Sequence, residues 1–403
     1  MTNIIIKEWC TLNDLYEAYR DCKKRKSSST SYARFAANEA FNLYDLWVEL
    51  NNHTYKIGRS DAFCVTRPKI REVFAAQFRD RIVHHLVMLR LIPLFESEFI
   101  NDTYNCRVGK GTDYGITRVK QFMDIHKNGW ILKCDLRSFF MSIEKERLLL
   151  KVKKFINDKY LNDDKDEIIK LVELIILNCP EKNCKRKGNI NLWDLLDYTK
   201  TLFKSDGKHG QAIGNLTSQI FANYYLNDFD KLISNIPNIE YGRYVDDFVI
   251  VSDDKNILLN LIPKIRKYLK DNLGITLHKN KIYLQPVRHG VTFLGSAIKN
   301  GRIYAGNRTV GNLYNLVLKY NKIDNIELHL EEFVQRYNSY MGYLIHRYSY
   351  KIRVNVWNLI CDDIKKYVYI TNNYSVLRIR NEFKLKNKLI NYYSYGKKHC
   401  QKK

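Results

Sequence analysis

The residues of this sequence best suited to chemistry are two adjacent aspartates, Asp246 and Asp247. Two short β-prone runs flank them in the segment EYGRYVDDFVIVS, residues 240–252, which predicts a hairpin with both aspartates at its turn. Hairpin turns favour Asn-Gly or Asp-Gly, whereas Val-Asp-Asp adds no turn stability and places two like charges side by side. A divalent cation would offset that repulsion, because hard oxygen ligands bind Mg²⁺ and a two-metal site can serve phosphoryl transfer. A solvated acidic turn is the alternative for an isolated Asp-Asp pair.

A third aspartate ends another apolar segment. Residues 130–143, WILKCDLRSFFMSI, predict a buried strand that ends on Asp135 and is followed by the aromatic pair Phe139 and Phe140. A buried carboxylate at a strand end needs a partner, and a metal ion shared with the Asp-Asp pair would provide one. The three carboxylates together are therefore the candidate metal site.

Two further segments carry groups that could form the rest of a site. The segment VTRPKIREV predicts two β-runs around a basic turn, in which Lys69 and Arg71 lie two apart and would point to the same side of a strand. Both could then contact one triphosphate, although an exposed basic hairpin is the alternative. Residues 210–226 predict a glycine turn and an amphipathic helix capped by Thr217 or Ser218, which by itself indicates no function.

The composition indicates a folded protein that binds nucleic acid. The 403 residues are 45% hydrophobic and 13% aromatic, which argues against disorder. Lys+Arg 67 against Asp+Glu 43 gives a formal net charge of +24, and 29 tyrosines and 18 phenylalanines are interleaved with the basic residues. Because cations follow phosphates and aromatic rings stack on bases, nucleic acid is favoured over an anionic membrane surface.

The sequence shows no sign of a membrane or secreted protein. It has no run of about 18 apolar residues and no signal-peptide pattern, so we expect no membrane partner. Nine cysteines, an odd number scattered along the chain, favour a reducing cytoplasm over a disulfide framework. Cys179 and Cys184 lie close together, but no second pair at zinc spacing follows, so we expect no structural zinc.

Three segments, taken in order, resemble the motifs of reverse transcriptases: the strand ending at Asp135, the IGNLTSQ segment at 213–219 and the Tyr-Val-Asp-Asp hairpin. The resemblance covers about residues 60–350. Group II intron and retroviral-type enzymes usually place Gln before the glycine of the second motif, and many end it in Ser-Pro, whereas this sequence has Ile213 and Gln219. That Ile-Gly-x-x-x-Ser-Gln pattern resembles the enzymes of diversity-generating retroelements, within the group II intron-like bacterial reverse transcriptases.

The resemblance implies an α+β fold of the right-hand polymerase type. It implies fingers at residues 61–130 and a palm of antiparallel sheet plus helices at 131–300, with a basic insertion at about 150–205. A helical thumb with a basic C-terminal tail would occupy residues 301–403, and residues 1–60 would form an N-terminal helical extension.

The resemblance also implies a metal site with two ions. The implied ligands are three carboxylates and one backbone carbonyl: Asp135, Leu136, Asp246 and Asp247. Two Mg²⁺ ions, for which Mn²⁺ can substitute, would activate the primer 3′ hydroxyl and stabilise the leaving pyrophosphate. Lys281 aligns with the lysine that donates a proton to pyrophosphate, and Lys279 is the second candidate. A solvated lysine in a basic loop is the alternative for each.

Other positions match the residues around the nucleotide and the primer. The implied nucleotide-binding residues are Lys69, Arg71, Phe140, Ile213, Gly214 and Gln219, and the implied primer grip is Phe293, Leu294 and Gly295. Phe140 falls at the aromatic steric gate, whose ring would clash with a ribose 2′ hydroxyl, whereas we expect Phe139 to be ordinary core. Ile213 offers only shape where Gln would hydrogen-bond near the nascent base pair, which would weaken discrimination.

The function implied is an RNA-directed DNA polymerase, a nucleotidyltransferase that makes cDNA from a template-repeat RNA for mutagenic retrohoming, with errors at template adenines. Its implied partners are template RNA, cDNA, dNTPs and a small basic accessory protein that forms an oligomer. One alternative is a bacterial defence or retron-like reverse transcriptase. A second is a maturase-like RNA-binding protein whose polymerase site is idle. The basic insertion suits RNA and an accessory protein equally well.

Overall fold

The computed structural model describes residues 8–24, 29–67 and 69–383. The predicted basic tail lies outside these residues. Contacts separate the chain into two compact units, one formed by Met1–Gly111 and Leu132–Leu284 and the other by Thr112–Ile131 and Gln285–Lys403. These boundaries differ from the four-part division implied by the resemblance, which stays a prediction. Both units mix helices and strands, so the predicted α+β class is confirmed.

The helices follow the chain in this order: α1 (Leu12–Lys23), α2 (Thr30–Ala36), α3 (Glu39–Asn51), α4 (Phe78–Glu98), α5 (Thr112–Ile125), α6 (Phe139–Ser142), α7 (Lys145–Lys159), α8 (Lys165–Leu177), α9 (Leu216–Tyr225), α10 (Asn227–Ser234), α11 (Lys255–Leu273), α12 (Asn307–Tyr320), α13 (Leu330–Leu344), α14 (Tyr350–Leu359) and α15 (Asp362–Lys365). The strands are β1 (Ser60–Val65), β2 (Arg71–Ala75), β3 (Trp130–Asp135), β4 (Cys184–Arg186), β5 (Glu240–Tyr244), β6 (Asp247–Ser252), β7 (Tyr283–Pro286), β8 (Val291–Phe293), β9 (Ser296–Lys299), β10 (Arg302–Ala305), β11 (Val368–Thr371) and β12 (Val376–Ile379). Short 3₁₀ turns lie at Pro180–Lys182, Ile190–Trp193, Tyr198–Lys200, Leu202–Lys204, Val287–His289 and Ile326–His329.

Strands β1 and β2 form the predicted basic hairpin, with Asp61 opposite Ala75 and Val65 opposite Arg71. Arg71 is the first residue of β2, and Lys69 precedes the strand with an exposed side chain. The prediction that Lys69 and Arg71 lie on one strand is therefore wrong, because β2 begins only at Arg71, and their shared orientation toward one triphosphate stays a prediction.

Part of the predicted basic insertion belongs to the same sheet as this hairpin. Strand β4 pairs in parallel with β1, which gives the strand order β2-β1-β4. The carboxylate of Glu72 accepts three hydrogen bonds from the insertion, from Trp193 Nε1 at 2.7 Å, Thr201 Oγ1 at 2.8 Å and the Leu202 N–H at 2.8 Å. The side chains of Trp193 and Leu202 pack with Phe74 in one apolar cluster. The insertion therefore contributes to the core of the first unit, which its lysine-rich composition does not indicate.

We expect Glu72→Ala to lower the free energy of unfolding by about 3 kcal/mol, because it leaves three buried donors without their acceptor. Urea denaturation measures the change, and Lys185→Ala, an exposed position on β4, is the control.

The stability contributed by Glu72 should also depend on pH. Burial raises the pKa of Glu72, so keeping its carboxylate ionised in the folded protein costs free energy. The stability of the wild type relative to Glu72→Gln is then greatest at acid pH and falls as the pH rises through the folded-state pKa. A difference that grows over that range would contradict this account.

A four-stranded sheet of order β5-β6-β3-β7 carries the predicted aspartates. Strands β5 and β6 form the predicted antiparallel hairpin, with Tyr244 opposite Asp247. Residues 248–251 of β6 are fully buried, as expected for a strand covered on both faces. Strand β3 ends at Asp135 as predicted, and α6 follows after Ser138, whose φ of 48° lies in the left-handed region.

The second unit combines helices with two small sheets. Helices α12, α13 and α14 surround one apolar cluster that includes Leu313, Phe333 and Val356. Helices α14 and α15 follow one another here, and they are followed by the hairpin of β11 and β12, which the expectation of a helical segment did not include. Strands of four residues are too short to show a clear alternation of apolar and polar side chains.

Within residues 8–24, 29–67 and 69–383, no helix combines the length and the apolar character needed to cross a membrane.

Candidate active site

The turn between β5 and β6 presents the two adjacent aspartates. Since Tyr244 pairs with Asp247, the turn consists of Val245 and Asp246, and Asp247 is already the first residue of β6. Val245 has a φ of 57°, in the left-handed region. A β-branched residue there costs roughly 1–3 kcal/mol, and such strain persists only where the surroundings impose it.

Backbone hydrogen bonds bring Asp135 to this turn. The N–H of Leu136 donates to the carbonyl of Asp246 at 3.0 Å, so the end of β3 is joined directly to the Asp-Asp turn. The carbonyl of Asp135 accepts from the N–H of His278 at 2.9 Å. Three segments that are far apart in sequence therefore meet here: the end of β3, the β5–β6 turn and the loop that follows α11.

The electrostatics of the site are those of crowded carboxylates. Burial, together with the negative charges of Asp135 and Asp247, raises the pKa of Asp246 to about 6, against an opposing effect of Arg71. Burial also raises the pKa of Asp247, and the nearby Lys133 opposes this rise. Concentrated negative charge of this kind favours binding of a cation.

Two lysines face the aspartates. Lys281 Nζ lies 2.8 Å from Asp135 Oδ2, whereas Lys279 is exposed, so the structure brings the first of the two candidate lysines to the site. Lys133 Nζ lies 3.4 Å from Asp247 Oδ2, a contact that the sequence analysis missed. The available signal was the position of Lys133 two residues before Asp135 on the same strand, which places both side chains on one face of the sheet.

The donor types and the local charge fit a hard divalent cation. Asp247 Oδ1 is buried and has no hydrogen-bond partner among the described residues, although a buried oxygen needs one. Across the same residues, no three His, Cys, Asp or Glu side chains converge on one metal position, and the carboxylates of Asp135 and Asp247 instead face lysines. The assignment of Leu136 and the three aspartates as ligands of two ions therefore stays a prediction.

The predicted nucleotide-binding loop is joined to the β1–β2 hairpin. The carbonyl of Ile213 accepts from the N–H of Phe74 on β2 at 2.9 Å. Gly214 has a φ of 130°, and a Cβ there would lie 2.7 Å from the carbonyl oxygen of Phe74, so only glycine fits. The N–H of Gln211 donates to the carbonyl of Phe140 at 2.8 Å. Ile213, Gly214 and Phe140 are thus connected through one loop to the strand that begins at Arg71.

Helix α9 follows this loop and differs from its prediction at the start. It begins at Leu216 after Asn215, and Thr217 and Ser218 lie buried inside it, so the prediction that one of them caps the helix is wrong. Thr217 Oγ1 instead lies 2.6 Å from Nδ1 of the buried His84, so this histidine hydrogen-bonds to α9. Gln219 lies in the same helix and is partly exposed.

Residues of the predicted primer grip form a hairpin in the second unit. Phe293 ends β8 and pairs with Ser296 at the start of β9. Leu294 and Gly295 between them have φ values of 48° and 79°, the pattern of a two-residue type I′ turn. Tyr343 donates its hydroxyl to the Gly295 carbonyl at 2.6 Å, which supports the turn. The role of this hairpin in gripping a primer stays a prediction.

A profile of the reverse transcriptase (RNA-dependent DNA polymerase) family matches residues 65–298. That span contains every residue predicted for the metal, nucleotide and primer sites.

Two curated proteins are similar in sequence. Protein YkfC of Escherichia coli is 23% identical over 278 residues, which are 60% of this chain and 66% of that protein. The COX1/OXI3 intron 2 protein of Saccharomyces cerevisiae is 22% identical over 332 residues, 73% of this chain and 39% of that protein. This chain thus spans just under two thirds of one relative and about two fifths of the other. Among solved structures, apo telomerase from Candida tropicalis aligns at a TM-score of 0.47 and 15% identity, covering 75% of this chain and 56% of that one.

Proposed function

The chain belongs to the reverse transcriptase (RNA-dependent DNA polymerase) family, and we propose that it copies an RNA template into DNA. The observation that carries this proposal is the meeting of Asp135 with the Asp246–Asp247 turn through the hydrogen bond between Leu136 and Asp246. The net charge of +24 supports a nucleic-acid substrate.

In this proposal each group has a chemical task. Asp135, Asp246, Asp247 and the Leu136 carbonyl would hold two Mg²⁺ ions, which when bound supply the charge that activates the primer 3′ hydroxyl and stabilises pyrophosphate. The guanidinium of Arg71 binds the triphosphate with Lys69. The ring of Phe140 excludes a ribose 2′ hydroxyl. Lys281 gives a proton to the leaving pyrophosphate.

Primer extension tests this function directly. The purified chain is given an RNA template, an annealed DNA primer and dNTPs with Mg²⁺ or Mn²⁺, and the products are resolved by length. We expect extension with dNTPs, much less with rNTPs, and none after chelation of the metal by EDTA. Failure to extend on any RNA template, the cognate RNA included, would contradict the proposal.

We further propose that the enzyme serves a diversity-generating retroelement and copies template adenines unfaithfully. This finer assignment rests on Ile213 and Gln219, and it carries with it a template-repeat RNA, a small basic accessory protein and a cytoplasmic location. The backbone contact between Ile213 and Phe74 supports it, because it places residue 213 next to the strand that begins at Arg71. A site that offers shape without a hydrogen-bonding partner discriminates weakly.

We expect Ile213→Gln to lower misincorporation opposite template adenine by about tenfold, because the amide adds a positioned polar contact worth about 1.4 kcal/mol. Sequencing of cDNA made from a defined RNA template measures the error at each base. Ile213→Leu is the matched control, since it keeps an aliphatic side chain, and its error spectrum should equal that of the wild type. An unchanged error rate opposite template adenine in Ile213→Gln would contradict the proposal that Ile213 lowers fidelity.

Two other functions remain as alternatives. A defence or retron-like reverse transcriptase would share all three aspartates, and the neighbouring genes distinguish it, because a template and variable repeat pair supports the retroelement. An RNA-binding, maturase-like protein is the second, and the name of the yeast relative, an intron protein, favours it. Tight binding of an RNA without any primer extension on it would support that function.

A further inference from the structure

Arg243 lies on β5, three residues before Asp246, and none of the motif assignments uses it. Its side chain and that of Asp230 on α10 are both 0% exposed. The guanidinium binds the carboxylate through two parallel hydrogen bonds, Nε to Oδ1 at 2.7 Å and Nη2 to Oδ2 at 2.5 Å. The hydroxyl of Tyr241 also donates to Asp230 Oδ1, at 2.6 Å. The orientation of the guanidinium is therefore set by a forked ion pair inside the core.

The remaining edge of the guanidinium points at the Asp-Asp turn. Its Nη1 donates to the carbonyl of Val245 at 2.8 Å, and its Nη2 also donates to the carbonyl of Asn223 on α9 at 3.3 Å. Arg243 thus connects two helices of the first unit to the one residue of the turn with an unfavourable backbone conformation.

The turn needs such support because its conformation is strained. Val245 at a φ of 57° would relax to negative φ if nothing held it, since its branched Cβ crowds the backbone there. Its carbonyl is held by Arg243, and the next carbonyl, that of Asp246, is held by the N–H of Leu136 at 3.0 Å. Each carbonyl of the turn therefore has a donor outside the turn, the first on β5 and the second directly after the end of β3.

Stability alone is a weak explanation for this buried pair. Taking both charges out of water costs free energy that the attraction between them only partly offsets, and apolar residues of equal volume often stabilise as well or better. An apolar replacement could not orient the turn, because only the guanidinium has a further N–H that can donate to the carbonyl of Val245.

We propose that Arg243 is a positioning residue that holds the Val245–Asp246 turn in its strained conformation, so that the carboxylates of Asp246 and Asp247 stay in place for catalysis and for cation binding. The inference rests on the proposed function only where it is tested by the kcat of primer extension. Arg243 touches no reacting atom; it acts through the turn.

The test combines Arg243→Lys with Val245→Gly. Lysine keeps the charge but lacks the fork, so we expect kcat for primer extension to fall about 100-fold, as for other misplacements of catalytic groups, with the KM for dNTP within about threefold. Glycine adopts positive φ without strain, so the double variant should recover about tenfold in kcat. Arg107→Lys is the matched control, because Arg107 is also a buried arginine bonded to a carboxylate and to backbone carbonyls, and its kcat should stay within about threefold.

A second readout needs no polymerase activity. Titration with Mn²⁺ alone, followed by electron paramagnetic resonance, should show about tenfold weaker binding in Arg243→Lys and recovery in the double variant. If the Mn²⁺ affinities of the wild type, Arg243→Lys and the double variant differ as expected but the wild type extends no primer, the proposed function fails and the inference stands.

A second variant is needed in case Arg243→Lys does not fold. Asp230→Asn weakens the forked ion pair, so it must then show the same losses and the same recovery by glycine. Wild-type kcat and Mn²⁺ affinity in a folded Arg243→Lys or Asp230→Asn, or no recovery by glycine, would overturn the inference.

Discussion

Asp246→Asn and Asp247→Asn are each expected to lower kcat for RNA-templated primer extension by at least about 1,000-fold. The reason is that each removes the charge of a proposed metal ligand, and stabilisation of transition-state charge by bound metal ions is worth several kcal/mol, at about 1.4 kcal/mol for each tenfold in rate. Asn keeps the size of the side chain, so the fold should be retained. Single-nucleotide incorporation under saturating dNTP measures the effect.

Asp253→Asn provides the control for these two variants. Asp253 is an exposed aspartate that follows the other end of β6, so the same chemical change is made away from the turn. We expect its kcat within about threefold of the wild type and unchanged RNA binding in all three variants. Extension by Asp246→Asn or Asp247→Asn at the wild-type rate would show that the carboxylates at this turn do not carry the reaction.

Lys281→Ala is expected to lower kcat by about 100- to 10,000-fold, the usual contribution of a general acid. The structure places Lys281 Nζ 2.8 Å from Asp135 Oδ2, which also allows a simpler role as a counter-charge for the aspartates. The Mg²⁺ dependence separates the two, since added cation can replace a counter-charge but not a proton donor, whereas the loss of either role slows the forward and the reverse reaction alike. We therefore expect pyrophosphorolysis to fall by the same factor as extension.

Lys279→Ala is the matched control, since Lys279 lies two residues away in the same loop and is exposed. Its kcat should change by less than about threefold. If Lys281→Ala instead regains wild-type kcat at high Mg²⁺, the lysine only balances charge at Asp135. If Lys279→Ala shows the large loss, the assignment of the two lysines must be exchanged.

Features that depend on neighbours in sequence could be predicted. The β5–β6 hairpin, the strand ending at Asp135 and the burial of Phe139 all follow from short apolar runs and their flanks. The prediction went wrong at the edges of such elements, as at Lys69, because a strand begins where its partner strand provides hydrogen bonds. The lysine-rich composition of residues 184–202 indicated a surface for RNA or an accessory protein. No pattern in the neighbouring sequence indicated that this segment would contact Glu72.

Contacts between distant residues explain the rest of what was missed. Glu72 and Leu202 are 130 residues apart, and Lys281 and Asp135 are 146 apart. Periodicity and propensity describe a window of a few turns or strands, so they contain no information about such pairs. The need of a buried carboxylate for a partner, together with the order of the motifs in the family that the chain resembles, pointed to Asp135 as the partner of the Asp-Asp pair.

The sequence by itself determined the chemical groups of this protein: three aspartates in two apolar strand segments, a strongly basic chain, and the order of motifs that led to the family. Tertiary structure alone decided how those groups are used. It brought Lys281 to Asp135, placed Lys133 beside Asp247, and directed Arg243 at the carbonyl of a strained Val245. The physical reason is that residue types and local propensities act within a short stretch of chain, whereas the direction of a buried side chain is set by partners that only folding brings together.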